Sequence, residues 1–239
     1  MKKFVTICLA VIMMISITAC GSSNTGNGTT TATDEQKKVT GKQEEANGQA
    51  DGSESDTAKT GQGQNAGSNI LVAYFSLAGE QYQVGVVEEG NTSIVAHMIA
   101  EQSGADLFEI TPVTPYPTTY DGLLDISRQE QADNARPEIA DSVSSFDEYD
   151  VIMIGYPIWW GNMPNIVYTF LESYDFTGKT VIPFATHAGS GLGGTEKNIT
   201  DLLPDATVLD GLAIAGTTAQ NDRDDANSAV ADWLSGLDI

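Results

Sequence analysis

Cysteine is nearly absent from this 239-residue chain: there are two, Cys8 and Cys20, both near the N-terminus. That excludes a disulfide framework and a cysteine-based zinc site. Basic residues are also scarce. Lys plus Arg number 11 against 33 Asp plus Glu, a formal net charge of −22. A nucleic-acid binder needs a basic face to displace counterions, so that class is excluded. Only two histidines occur, His97 and His187, too few for a histidine-rich metal centre. The Gly-Lys-Ser/Thr ending of a Walker loop is missing, which argues against an ATPase or GTPase. No Ser-His-Asp set or paired-carboxylate constellation is evident, so hydrolysis is not expected. What remains is a chain that is 41% apolar, enough for a packed core.

The first segment reads as an address. Lys2 and Lys3 precede a mostly apolar run of 14 residues, Phe4 to Ile17. That is too short to span a bilayer but suits a signal peptide. It ends in Ile17-Thr18-Ala19-Cys20, which resembles the lipobox of bacterial lipoproteins. The resemblance implies removal of residues 1–19, a lipid on Cys20, and an extracytoplasmic protein anchored to the cytoplasmic membrane. It would also leave no free thiol for a nucleophile or a redox motif. Residues 20–68 form a polar tether: between Gly21 and Ser68, 31 of 48 residues are Gly, Ser, Thr, Asn or Gln, with no proline or aromatic residue. Such a stretch cannot bury enough apolar surface to offset its ordering entropy. As a flexible chain it would reach roughly 40 Å.

Residues 69–239 carry 26 acidic against 5 basic residues, a net −21, and alternate strand with helix signals. Apolar runs at Ile70–Ser76, Ala105–Thr111, Asp150–Tyr156, Lys179–Thr186 and Thr207–Ile214 read as five strands. Helical patterns follow at Asn91 onward, Asn162–Leu171 with Pro164 in its first turn, Thr195–Leu203 and Asp222–Leu234. Between Pro112 and Tyr149 the pattern is thin, and Tyr120–Ala135 is the candidate for an irregular or partly exposed helix. This order predicts an α/β fold, a doubly wound parallel sheet with helices on both faces. In such sheets ligands bind beyond the carboxyl ends of the strands, at the switch point.

Three loops fall there. The first, Ser76 to Thr92, ends in Gly90-Asn91-Thr92 and offers hydroxyls and a helix N-terminus, a cradle for phosphate without any Lys or Arg. The second, Tyr156-Pro157-Ile158-Trp159-Trp160-Gly161, places two indoles after a buried strand, suited to stacking on a flat ligand. The third, Thr186 to Gly194, is rich in glycine. Gly189, Gly191 and Gly194 have the spacing of a dinucleotide fingerprint, with Asp210 placed 21 residues after Gly189. That fingerprint normally follows the first strand, and here it follows the fourth. His187 is either an exposed loop imidazole or a hydrogen-bonding and proton-shuttling group. His97, in mid-helix, reads as structural.

Together these loops resemble the flavodoxin-like family, in its longer bacterial branch, over Asn69 to Ile239. The resemblance implies a five-stranded sheet of order 2-1-3-4-5 and non-covalent FMN. It implies that Ser76, Gly79, Asn91 and Thr92 surround the phosphate. Pro157, Ile158, Trp159, Trp160 and Gly161 would line the ribityl chain and ring, with Trp159 stacked on it. Thr186, His187, Gly189, Ser190 and Gly191 would border the other side. One departure stands out: Glu80 to Glu89 is inserted between Gly79 and Gly90. The insert either bulges outward and leaves the cradle intact, or shifts Gly79 away from the phosphate, or forms a flap over the flavin with Tyr82 as an added aromatic wall. The expected role is electron or hydride transfer by bound flavin, with donor and acceptor unidentified. Two other readings stay open: an NAD(P)H-dependent quinone or flavin reductase, and a non-enzymatic ligand-binding lipoprotein on the same scaffold.

Overall fold

The computed structural model describes residues 69–239. The expected signal segment, Cys20 and the polar tether lie outside the described residues.

The first strand, β1 (Ile70–Tyr74), is followed by a hairpin, β2 (Gly79–Gln81) and β3 (Gly85–Val87), and by α1 (Asn91–Ser103). Then come β4 (Asp106–Glu109), α2 (Tyr120–Asp133), β5 (Val151–Pro157), α3 (Asn165–Glu172), β6 (Thr180–His187) and α4 (Thr195–Leu202). The chain closes with β7 (Thr207–Val208), β8 (Leu212–Ala215), α5 (Gly216–Asn221) and α6 (Arg223–Ser235). The main sheet runs β4-β1-β5-β6-β7, with β8 also pairing β6, and all its pairings are parallel. With β7 and β8 taken as one interrupted strand, this is the expected 2-1-3-4-5 order.

The central strands are nearly continuous apolar runs because both faces are covered. Leu71, Ala73 and Phe75 face one core with Ile152, Ile154, Ile166 and Phe170. Val72 and Tyr74 face the other with Val95, Ile99, Met153, Phe184 and Val230. Alternate residues of one strand therefore feed two separate cores, as the two-residue period of a strand requires.

Two expectations are corrected. The fifth strand, read as continuous over Thr207–Ile214, is broken between Val208 and Leu212. The break lies opposite Pro183 of β6, which has no N–H for a ladder, and Gly211 there packs against the Pro183 carbonyl. The third helix starts at Asn165 rather than Asn162, because residues 159–162 close a turn. The Tyr120–Ala135 segment is the partly exposed helix of the two alternatives, regular over 14 residues and ending at Asn134 in the left-handed conformation (φ 49°). Among the described residues, no helix is long and apolar enough to cross a membrane.

Candidate functional site

The carboxyl ends of β1, β5 and β6 open onto one cleft of about 240 Å³. A narrow recess continues it toward the start of α1 and is lined by Ser76, Leu77, Asn91, Thr92 and Thr186. The site thus has two ends, built differently.

Around the start of α1 the recess end is made of backbone and short side chains, with Gln81, Leu123, Pro157 and Trp159 completing its lining. Gly90 occupies the N-cap of α1 and has no side chain to accept a helix N–H. Ser76, from the β1 loop, does so instead: its Oγ accepts the Ser93 N–H at 3.0 Å. The two segments lie so close that a Cβ on Gly90 would overlap Ser76 Oγ and the Leu77 carbonyl, which makes glycine obligatory there. Thr92 and Thr186 pair their hydroxyls at 2.8 Å in a buried contact, tying the first turn of α1 to the end of β6. Only one of the two protons is used in that bond, so the pair keeps one O–H to donate. The N–H of Ile94 goes to the Gly90 carbonyl. The Asn91 and Thr92 N–H groups head the helix, where no intrahelical acceptor exists. The Asn91 amide oxygen is buried and has no partner in the protein. Buried polar atoms are rarely left so.

The wider end is made of aromatic side chains. Trp159 and Asn162 exchange both backbone hydrogen bonds (2.8 and 2.9 Å), with Trp160 and Gly161 between them at φ 54° and 77°. Two successive positive φ values define a type I′ turn, which explains the glycine. The turn sends the two indoles different ways. Trp159 packs edge-on to Phe75 and Tyr116, with centroids 5.6 and 5.5 Å away, half-buried against the core and lining both the cleft and the recess. Tyr116 in turn donates to the buried Glu130 carboxyl at 3.1 Å, and burial raises the pKa of both groups. Trp160 is 47% exposed. Its Nε1–H donates to Ser127 Oγ at 3.0 Å, and the Arg128 guanidinium stands 4.3 Å above its ring. Both indoles line the cleft, Trp159 against the core and Trp160 toward solvent, and the turn is the reason.

His187 closes β6. Its Nδ1 accepts the Gly189 N–H at 2.8 Å, so in the neutral ring the proton sits on Nε2. Burial holds its pKa below the usual histidine value, which keeps the ring neutral at pH 7. Pro157, Ile158, Gly161, Thr186, Ala188 and Ser190 line the cleft as well. Gly189 and Gly191 do not; they turn the loop with φ 115° and 59°. Gly79 is also absent from the lining. It begins the hairpin, with the Thr118 carbonyl 2.5 Å from where its Cβ would be, so the insert has drawn it toward the α2 side. Asp210 falls in the break of the edge strand, away from the cleft lining. His97 is exposed on α1, its Nδ1 2.8 Å from the Ser93 carbonyl.

The insert is the β2–β3 hairpin, which leaves Gly79 outside the lining and brings Tyr82 to the cleft. Tyr82 lines the cleft and stacks on Tyr120 (5.5 Å, 21°). Glu80 donates its N–H to the Thr118 carbonyl, and its carboxylate accepts the Tyr120 N–H at 2.9 Å, capping α2. Sequence reading missed the wall that α2 provides: Tyr120, Leu123, Leu124 and Ser127. Their i, i+3, i+4, i+7 spacing was a visible helical face, obscured by the polar residues between. Gly216, at the start of α5, was missed too; it abuts the Asn91 amide.

A doubly wound sheet with a ligand cleft at its switch point is the class that fold and site define. The flavodoxin family model matches residues 69–233, and the chain belongs to that family. Among solved structures, a candidate flavoprotein from Bacteroides eggerthii DSM 20697 is 32% identical with a TM-score of 0.59, covering 72% of this chain and 99% of that one. Another from Bacteroides uniformis ATCC 8492 is also 32% identical, with a TM-score of 0.56, covering 71% and 99%. A flavoprotein from Lactobacillus acidophilus NCFM, solved in complex with FMN, is 22% identical with a TM-score of 0.50, covering 63% and 95%, and shares the fold. No curated protein matches the chain.

Proposed function

We propose that this chain is an FMN-binding flavoprotein that passes electrons or hydride. The observation that carries the reading is the buried, unpartnered amide oxygen of Asn91, set between the start of α1 and an aromatic-walled cleft. A buried acceptor calls for a donor. The hydroxyls of a ribityl chain provide one, and a bare phosphate does not. The helix-start N–H groups and the spare O–H of the Thr92–Thr186 pair suit the phosphate next to it. When bound, FMN supplies the redox chemistry. The chain's own part is to orient it and exclude water. Trp159, Trp160 and Tyr82 offer flat apolar walls, Trp159 backed by the core. Neutral His187 offers Nε2–H as a hydrogen-bond donor at the cleft. The Lactobacillus relative, a complex with FMN, supports the choice of cofactor.

The lipobox-like Ile17-Thr18-Ala19-Cys20 supports a second element of the reading: residues 1–19 are removed and a lipid on Cys20 holds the domain at the outer face of the cytoplasmic membrane. Replacing Cys20 by Ser should release the protein from the membrane fraction, and unchanged retention would defeat that element. For the cofactor, the purified apo protein is titrated with FMN and with riboflavin. FMN should bind one to one, and riboflavin at least tenfold more weakly because it lacks the phosphate. No saturable FMN binding would end the flavin reading.

A further inference from the structure

Beside the cleft stands a buried acid that the flavin reading leaves unused. Glu130 is 9% exposed, and among the described residues no Lys or Arg forms an ion pair with it. A buried carboxyl without a cation is costly unless a donor meets it. The donor is Tyr116, also buried, whose O–H reaches Glu130 Oε2 at 3.1 Å. The backbone that carries the acid is fixed: the Glu130 carbonyl accepts the Asn165 Nδ2–H at 2.8 Å and the Ala135 N–H at 2.9 Å. The Tyr116 ring meets Trp159 edge-on, with centroids 5.5 Å apart, and Trp159 lines both the cleft and the recess. Indole, phenol and carboxyl thus form a continuous series from the cleft to a buried proton acceptor. Other tyrosines of the chain lack that combination. Tyr149 also donates to a carboxylate, Asp106 at 2.9 Å, but at the amino ends of β4 and β5, away from the cleft. Tyr82 and Tyr120 line the cleft but stack on each other.

We infer that Tyr116 and Glu130 form a redox-active tyrosine site, which takes over the oxidising equivalent when a one-electron-oxidising radical attacks Trp159 in the cleft. The radical gains one electron from Trp159 and becomes its anion, and the indole N–H proton passes to water. Tyr116 then gives one electron to the indole radical, and its phenolic proton crosses the hydrogen bond to the Glu130 carboxylate. The indole regains a proton from water. In sum, one radical is reduced, one tyrosyl radical forms and one carboxylate is protonated. The transfer runs inward because a phenol that loses its proton together with its electron is oxidised more readily than an indole. An ionised carboxylate is an acceptor only, so it can take that proton. Burial raises the pKa of Glu130, which makes its carboxylate a stronger base than an exposed one, and burial keeps the Tyr116 phenol protonated until it is oxidised. Trp159, a wall of the cleft, is restored rather than consumed.

The experiment uses the full chain with Trp160→Phe and Trp233→Phe, which leaves Trp159 as the one indole. No cofactor is added, so the outcome is independent of the flavin reading, which the FMN titration decides by itself. Azide radicals made by pulse radiolysis oxidise the indole. The tryptophanyl absorption should decay as the tyrosyl absorption rises, at a first-order rate unchanged by protein concentration. That rate should fall at least twofold in deuterium oxide. Tyr116→Phe should slow the decay at least tenfold. Glu130→Gln should do the same, because its amide oxygen still accepts the phenol's hydrogen bond but cannot take the proton. Urea unfolding of each variant identifies any loss that is merely structural. No tyrosyl signal, a transfer rate that follows protein concentration, or a rate indifferent to either substitution overturns the inference. Should both variants fail to fold, the deuterium effect on the parent decides: a twofold slowing supports the inference, and none overturns it.

Discussion

The two ends of the cleft solve the same problem with different materials. At the recess end, the contacts around the start of α1 come from backbone and short side chains, and Thr92 and Thr186 are almost fully buried. At the ring end, contacts come from aromatic side chains on three separate elements: the hairpin, α2 and the turn after β5. The first end admits no movement without breaking packing, since interiors are close-packed. The second can adjust by rotating one or two side chains. Anchoring and adaptability are thus separated along the cleft, and substitutions should divide the same way.

The largest effect should come from Trp159, which looks like part of the adaptable end but is wedged against Phe75 and Tyr116. Trp159→Ala should cost about 3 kcal/mol of stability, the lower part of the range for removing a large aromatic side chain. Trp160→Ala should cost less than about 1 kcal/mol, as exposed positions do. Urea unfolding of both variants measures the difference, and equal losses would erase the division between the two indoles. Next is Gly90→Ala. The new methyl would force Ser76 and Leu77 apart, and overpacking of this kind costs about 1–3 kcal/mol. FMN affinity should fall with it, since the loop that moves also forms the cradle. A variant with parental stability and affinity would show that the recess end yields after all.

Asn91→Ala should behave in the opposite way. Its amide oxygen has no protein partner to lose, so stability should stay within about 0.5 kcal/mol. FMN binding should weaken by about tenfold, the loss of roughly one hydrogen bond. Thermal unfolding alongside flavin titration separates the two quantities, and a stability loss without an affinity loss would give Asn91 a purely structural role. The smallest effect is a pH dependence. The pKa of His187 is lowered by burial from the usual 6.5, so below that pH the unfolded chain takes up a proton that the folded one resists. Its contribution is complete above pH 6.5 and declines as pH falls toward the folded value. His187→Gln should flatten stability between pH 7 and 5, and an unchanged slope would assign the titration to other groups.

Strands β1, β5 and β6 were legible because burial on both faces writes a nearly continuous apolar run, whereas β4, at the sheet edge, shows only Leu107 and Phe108 between two acids. The recess end was legible for a related reason: a helix start that needs N–H donors and close approach leaves Gly90-Asn91-Thr92 in consecutive positions. The ring end was only half legible. The indoles stand together in sequence, but nothing local says which way each points; the type I′ turn decides that through a reciprocal bond to Asn162. The α2 wall was hidden because its cleft-facing stripe is narrow and its remaining positions are solvated. The hairpin was hidden because its short strands, with Val86 and Tyr82 exposed, bury too little to write an apolar pattern.

The interruption of the outermost strand has a consequence for how copies of the protein meet. A sheet edge with a long row of free N–H and C=O groups invites another chain to add itself there. Here that edge is cut into pieces of two and four residues, β7 and β8. Within the gap, Leu209 donates inward to Val181, Gly211 donates to the Glu196 carboxylate, and the Asp210 carbonyl accepts the Trp233 indole. What remains offers an approaching strand no continuous ladder. Proline at the middle of β6 thus acts at a distance, on the neighbouring strand, as a guard against edge-to-edge self-association.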